Sequence, residues 1–254
     1  MKASTEFEVG ARTRPPMPAD VKDRLIVALD FSSASQAIDL VGKLDGLVSF
    51  FKVGIELQLA EGMIPVNYLI SKRKKVFLDL KYFDVPETVE RAVQRAASIG
   101  VSFLTIHGNG GNIAAAVRGR GDSDLKLLSV TVLTSLDADD IKDLGFECSV
   151  EELVMFRAKK AVEAGCDGVI ASGREAVSIR KAFHDKLLIV TPGIRPKDFP
   201  KQDQKRAVTP YEAVAGGADY LVVGRPITSN PEPLKTAEKI IEEMERGFSA
   251  LQPH

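Results

Sequence analysis

The chain has 254 residues, 44% of them hydrophobic and 27% charged. That is enough apolar material for a full globular core, at the size of one α/β barrel or two smaller domains. A formal net charge of −1 supplies no general field for nucleic acid or an anionic membrane, and no apolar run approaches the ~18 residues of a membrane span.

Residues 1–20, "MKASTEFEVGARTRPPMPAD", mix charge, proline and small residues. They lack an apolar h-region, and Glu6 and Glu8 argue against a transit peptide. They read as a disordered tail ahead of one catalytic domain over 21–254. Beyond them, short apolar runs alternate with helical patterns. Eight runs read as strands: 25–30, 49–54, 75–81, 102–108, 126–134, 167–172, 187–193 and 220–225. They are near-continuous apolar segments, as expected of strands covered on both faces, and alternation with helices implies a parallel sheet. Amphipathic segments such as "PETVERAVQRAASIG" (86–100) and "SVEELVMFRAKKAVEAG" (149–165) supply the helices. Gly100, Gly165 and Gly217 each precede a strand and read as helix C-terminal glycines. Eight such units suit a (β/α)8 TIM barrel in a single domain, since ~250 residues is typical of that fold. A doubly wound open sheet is the competing architecture. "LIVALDFSSA" lacks the GxGxxG turn that would favour it after the first strand.

In a barrel enzyme, chemistry gathers at the C-terminal ends of the strands. Here the first four ends carry ionisable groups: Asp30, Lys52, Asp79 with Lys81, and His107. The fifth ends at Thr134 and Ser135. The last two run into Gly193 with Arg195 and Gly224 with Arg225. Asp79 and Lys81 stand at i and i+2, so both side chains face the barrel mouth while Leu78 and Leu80 pack outward. A structural ion pair accounts for Asp79 and Lys81 alone. With Asp30 and Lys52 converging on the same mouth, a functional cluster is the better reading, because buried ion pairs are a poor route to stability. The loops after strands seven and eight are where barrels often hold phosphate, and Arg195 and Arg225 offer bidentate donors there. His107 reads as a hydrogen-bonded structural residue and "GNGG" (108–111) as a flexible turn. Two cysteines, Cys148 and Cys166, form neither a CxxC nor a zinc-like cluster, consistent with free thiols in a reducing compartment.

The segments "IVALD", "FKVG", "FLDLKYFDVPETV", "VTVLTS", "VTPGIRP" and "VVGRPIT" resemble the bacterial type of orotidine 5′-phosphate decarboxylase. They fall in that family's order over about residues 24–245, and Asp79-x-Lys81-x-x-Asp84 matches its D-x-K-x-x-D signature. The resemblance implies a (β/α)8 barrel that converts orotidine monophosphate to uridine monophosphate without metal or organic cofactor. It implies a cytoplasmic homodimer with shared active sites and no nucleic-acid or membrane partner. By the same resemblance, Lys52, Asp79 and Lys81 form a charged array completed by Asp84 of the neighbouring subunit, and Lys81 donates the proton. Asp30 and Lys52 hold the ribose, Thr88 belongs to the partner-supplied side, and Thr134 contacts the pyrimidine. Arg195, Gln204, Gly224 and Arg225 hold the phosphate, with the 194–208 loop closing as a lid. Two rivals are a magnesium-dependent phosphosugar enzyme with the same D-x-K-x-x-D spacing and a non-catalytic nucleotide-binding barrel. Interleaving Lys52 and Lys81 with the acids disfavours the first, since the ammoniums repel a divalent cation.

Overall fold

Eight parallel strands close on themselves in sequence order. A computed structural model describes residues 13–199 and 206–251 of the chain. The strands are β1 (Leu25–Ala28), β2 (Phe50–Gly54), β3 (Lys75–Tyr82), β4 (Phe103–Ile106), β5 (Lys126–Val130), β6 (Gly168–Ile170), β7 (Leu188–Thr191) and β8 (Tyr220–Val223). β1 pairs with both β2 and β8, so no strand edge is left open. The (β/α)8 expectation is met, and the open-sheet alternative is set aside.

Alternation along each strand divides the core into two compartments. Outward residues such as Leu25, Val27, Phe51, Val53, Leu78 and Leu104 pack under the surrounding helices. Inward residues, among them Ile26, Phe50, Phe77, Phe103, Leu188, Tyr220 and Val222, fill the barrel. Phe50, Phe103 and Tyr220 come from even-numbered strands and meet edge to face, with ring centroids 4.9 Å apart for Phe50–Phe103 and 5.1 Å for Phe103–Tyr220. Such layers, drawn from alternate strands, are how this fold fills its interior. The even-numbered strand β6 begins instead at Gly168, where an added Cβ would stand 2.6 Å from the Leu188 carbonyl oxygen.

The helices begin and end where local chemistry directs. Pro86 opens the helix Pro86–Ile99, and Gly100 closes it with φ of 89°, a backbone state that glycine enters without steric penalty. Gly165 and Gly217 also have positive φ, as expected of helix-terminating glycines. Ser149 caps the helix Val150–Glu163 through a capping box with Glu152. Residues 108–111, expected as a turn, instead start a helix. The Asn109 side chain accepts from the Asn112 backbone N–H at 3.1 Å and caps Gly110–Arg120.

β5 stops at Val130, four residues short of its expected end. Beyond it, the Thr131 N–H donates to the Ile170 carbonyl at 3.2 Å, and side-chain bonds also join the backbone. The Thr131 hydroxyl donates to the Ile170 carbonyl at 2.7 Å, and Arg206 donates to the carbonyls of Val132 and Leu133. Of the segment expected as a tail, residues 13–20 lie against the barrel. Arg14 pairs with Asp219 and Asp185, Arg24 donates to the Pro18 carbonyl, and Met17 packs against the inner core. Residues 1–12 lie outside the described residues. Among the described residues no helix is long and apolar enough to cross a membrane.

The layer geometry makes Gly168 a size filter. Gly168→Ala forces a methyl against the backbone of β7, so it destabilises the fold by about 1–3 kcal/mol. A urea titration of wild type and variant checks this, and equal midpoints would refute it.

Candidate active site

The C-terminal ends of the strands surround a cavity of about 250 Å³, open to solvent. Among the described residues, six charged side chains line it: Asp30, Lys52, Asp79, Lys81, Arg195 and Arg225. Among them, four cations stand against two carboxylates, a balance suited to an anionic small molecule.

The charged groups form a line. The Lys52 ammonium donates to Asp30 Oδ1 at 2.8 Å and lies 3.7 Å from Asp79 Oδ2. The Lys81 ammonium donates to Asp79 Oδ1 at 2.9 Å. Asp79 therefore stands between two ammoniums, and its side chain is only 16% exposed. Burial raises its pKa, but the charges of Lys52 and Lys81, with hydrogen bonds from Lys81 and Thr105, outweigh that and hold the carboxyl below its ordinary value. Room for the Lys52–Asp30 pair is left by Gly54. A Cβ there would lie 3.0 Å from Lys52 Nζ and 3.2 Å from Asp30 Oδ1.

Asp79 and Lys81 share a face, as i and i+2 spacing predicts, but plain pleating does not bring them together. β3 pairs Leu78 with Leu104 and then Tyr82 with Ile106. Between those pairs β3 spends three residues where β4 spends only Thr105, which makes a bulge. Lys81 sits in it with φ of 50°, a left-handed conformation that costs a non-glycine residue about 1–2 kcal/mol. Its backbone N–H, without a ladder partner, donates to Thr105 Oγ1 at 2.9 Å, and the same hydroxyl donates to Asp79 Oδ1 at 2.9 Å. The bulge bends the chain so that the Lys81 ammonium folds back onto Asp79.

Arg195 and Arg225 follow β7 and β8, and β8 closes the barrel against β1. Gly193 has φ of 75°, and Arg195 follows it, buried, with its guanidinium 5.7 Å from the Phe199 ring centre. The loop stem is pinned by the Arg195 N–H bond to the Val208 carbonyl at 2.9 Å. Arg225 begins the short helix Arg225–Thr228, with Gly224 at its N-cap. Thr134, Gly193 and Gly224 also line the cavity. Gln204 lies outside the described residues.

Asp84 and Thr88 are not brought into the cavity of their own chain. Asp84 is exposed beyond β3, its carboxylate accepting from the Val85 N–H at 2.6 Å. Thr88 is half-buried in the helix Pro86–Ile99. His107 is absent from the lining, and burial, then the charges of Arg157 and Lys81, push its pKa down. Both causes favour the neutral imidazole over the charged form.

Two polar features escaped sequence reasoning. Thr105 is fully buried on an inward position of β4, two residues before His107, and a polar residue there was the available signal. Arg206 is also buried. It donates to Glu175 at 2.8 Å and to the Leu133 carbonyl at 2.7 Å, while Ser172 donates to Glu175. This pair ties the stem of the 194–208 loop to the loops after β5 and β6. Nothing local marks it, because its partners are 31 and 73 residues away in the chain.

A family model described as "Orotidine 5'-phosphate decarboxylase / HUMPS family" matches residues 23–240. The chain is 53% identical over 232 residues to a protein of Nitrobacter winogradskyi named orotidine 5′-phosphate decarboxylase, covering 91% of this chain and 95% of that one. A protein of the same name from Methylococcus capsulatus is 48% identical over 235 residues, covering 92% of this chain and 96% of that one. Among solved structures, the orotidine 5′-phosphate decarboxylase of Lactobacillus acidophilus superposes with a TM-score of 0.77 at 36% identity, over 87% of this chain and 99% of that one.

The depressed Asp79 pKa has a consequence for stability. A carboxyl whose folded pKa lies below the ordinary 3.8 contributes stability that is present above the unfolded value and is lost as pH falls through the folded one. The stability difference between wild type and Asp79→Asn should therefore be flat from pH 7 to about 5 and turn against wild type at lower pH. Urea melts across that range measure it. A difference that moves in favour of wild type toward acid would contradict the assigned direction.

Proposed function

The chain belongs to the orotidine 5′-phosphate decarboxylase / HUMPS family, and on that footing we propose that it is a carboxy-lyase. It removes CO2 from orotidine 5′-monophosphate to give uridine 5′-monophosphate, the last step of de novo pyrimidine nucleotide synthesis, without metal or organic cofactor. The observation that carries this reading is the Lys52–Asp79–Lys81 line in one cavity with Arg195 and Arg225. A substrate with a carboxylate on its ring and a phosphate at its other end meets cations at both.

Breaking the C6–carboxylate bond releases CO2 and leaves the electron pair on C6, a ring carbon with no adjacent carbonyl to delocalise it. The Lys81 ammonium, preorganised by its bond to Asp79, stabilises that charge and delivers a proton to C6. Asp79 crowds the substrate carboxylate, a strain relieved as CO2 departs. Electrostatic stabilisation of the carbanion is the larger contribution. Asp30 and Lys52 hold the ribose hydroxyls and Thr134 the pyrimidine. Arg195, Gln204, Gly224 and Arg225 hold the phosphate, and the 194–208 loop closes over it, so binding energy remote from C6 is used to raise the rate. Each acid of the array is already matched by an ammonium, which supports chemistry that needs no divalent cation.

We place the working enzyme in a homodimer, with Asp84 and Thr88 completing the partner's site. Support comes from the rim of the mouth. Phe83 and Val85, either side of Asp84, are 66% and 63% exposed. Large apolar side chains open to solvent beside a site mark an interaction surface. The free thiols of Cys148 and Cys166 fit a reducing cytoplasm.

The first test is a spectrophotometric assay with orotidine monophosphate. Turnover should be unchanged in excess EDTA, and Lys81→Ala should lose about 10²–10⁴-fold in kcat while still binding uridine monophosphate. Loss of activity in EDTA that Mg2+ restores would sink the cofactor-free mechanism. Absence of turnover by wild type would favour a binding barrel. The second test mixes Asp84→Ala with Lys81→Ala protein. Hybrid dimers contain one site free of both changes, so part of the activity should return. No recovery despite demonstrated subunit exchange would remove Asp84 from the shared site.

A further inference from the structure

We propose that Thr105 is the positioning residue of the charged array, and that its hydroxyl, not its shape, sets the direction of Lys81. The inference rests on the decarboxylase reading above.

The geometry leaves the hydroxyl little freedom. Three residues of β3, Asp79 to Lys81, bulge out opposite Thr105 alone. A bulge strands backbone N–H groups, and a buried one needs an acceptor. Lys81 N finds it in Thr105 Oγ1 at 2.9 Å. A backbone N–H only donates, so Thr105 accepts there, and its single proton is free for Asp79 Oδ1, also at 2.9 Å. Asp79 Oδ1 in turn accepts from Lys81 Nζ at 2.9 Å. The three bonds form a closed ring: Lys81 backbone to Thr105, Thr105 to Asp79, and Lys81 side chain to Asp79. One hydroxyl thereby fixes both ends of the lysine, its left-handed backbone at φ of 50° and its ammonium through the carboxylate.

A purely steric role would ask for a β-branched side chain of this size, which valine also supplies. Nothing on β4 replaces the hydroxyl. Phe103 below it is apolar and fills the barrel interior, and His107 above it lies outside the cavity lining. Without the hydroxyl, the Lys81 N–H loses its acceptor in a part-buried site and Asp79 loses one of the two donors on Oδ1. The array then relaxes by a shift small in distance and large in rate.

The test compares Thr105→Val, which keeps shape and removes the hydroxyl, with Thr105→Ser, which keeps the hydroxyl. Thr105→Val should lose about 10–100-fold in kcat, while its Kd for uridine monophosphate stays within about threefold, since Thr134, Arg195 and Arg225 are untouched. Thr105→Ser should retain kcat within about threefold. Thr105→Ala takes the place of valine if the valine variant does not fold. Wild-type kcat in a folded Thr105→Val, or a loss in Thr105→Ser as large as in valine, would overturn the inference. Failure of both hydroxyl-free variants to fold would assign the hydroxyl to folding and overturn it too. An inactive wild type would instead overturn the decarboxylase reading, so the two failures are distinguishable.

Discussion

A carboxylate held between two ammoniums at the end of a buried strand is the constraint on which the rest of this site depends. Asp79 is half-buried, and burying a carboxylate without partners is strongly unfavourable. Lys52 on one side and Lys81 on the other make its ionised form the favoured one. The dependence runs both ways, since Lys52 is itself only 10% exposed. Asp30 then completes the line by matching Lys52. Removing Lys52 or Asp79 leaves a buried charge short of its partner, and breaking a buried pair costs about 3–5 kcal/mol, whereas Asp30, with its side chain 54% exposed, contributes less. The array is therefore a unit built from two strands, β2 and β3, and the segment beyond β1. Parallel pairing of β1 with β2 and of β2 with β3 sets its register.

That register also divides the mouth into two halves. The strands β1 to β3 supply alternating charges with short bonds among themselves. The loops after β7 and β8 supply arginines and the glycines Gly193 and Gly224. The first half suits a reacting centre whose charge changes during the reaction. The second suits a charged group that is gripped and does not react. The halves meet where β8 pairs with β1, and a Cβ at Gly224 would lie 3.7 Å from Asp30 Oδ2. The Arg206–Glu175 pair joins the loop stem of the second half to the β5 and β6 loops, so the arginine side is also built on buried structure.

Much of this was legible in the residues, and the limits are physical. Strand existence and order followed from apolar runs, because a parallel barrel buries both faces of every strand. Asp30, Lys52, Asp79, Lys81, Arg195 and Arg225 were legible because charge at a strand end is rare unless it is used, and all six line the cavity. The bulge in β3 was not legible. It depends on how many residues β4 spends between two pairs, which is a property of register and not of either strand alone. Thr105 left a signal, a polar residue at an inward strand position, but its partners depend on that bulge. The short β5 reflects bonds from Arg206 and Thr131 to distant groups, which no local pattern encodes. The "GNGG" segment was misjudged because its glycines suggest a turn, whereas Asn109 supplies the side-chain oxygen that starts a helix.

The aromatic layer beneath the array gives the site one more property. Phe50, Phe103 and Tyr220 interlock across the barrel, and Phe77 lies over Phe103 with its ring centre 6.0 Å away. Among the described residues, these inward side chains fill the barrel beneath the array, a packed core and not a pore. The well is a cul-de-sac, so everything that enters or leaves shares one doorway. When a reaction there splits one molecule into a small piece and a large one, the small piece must slip past the large one or wait behind it. Traffic at the doorway, as well as chemistry at its base, then sets how quickly the site is ready again.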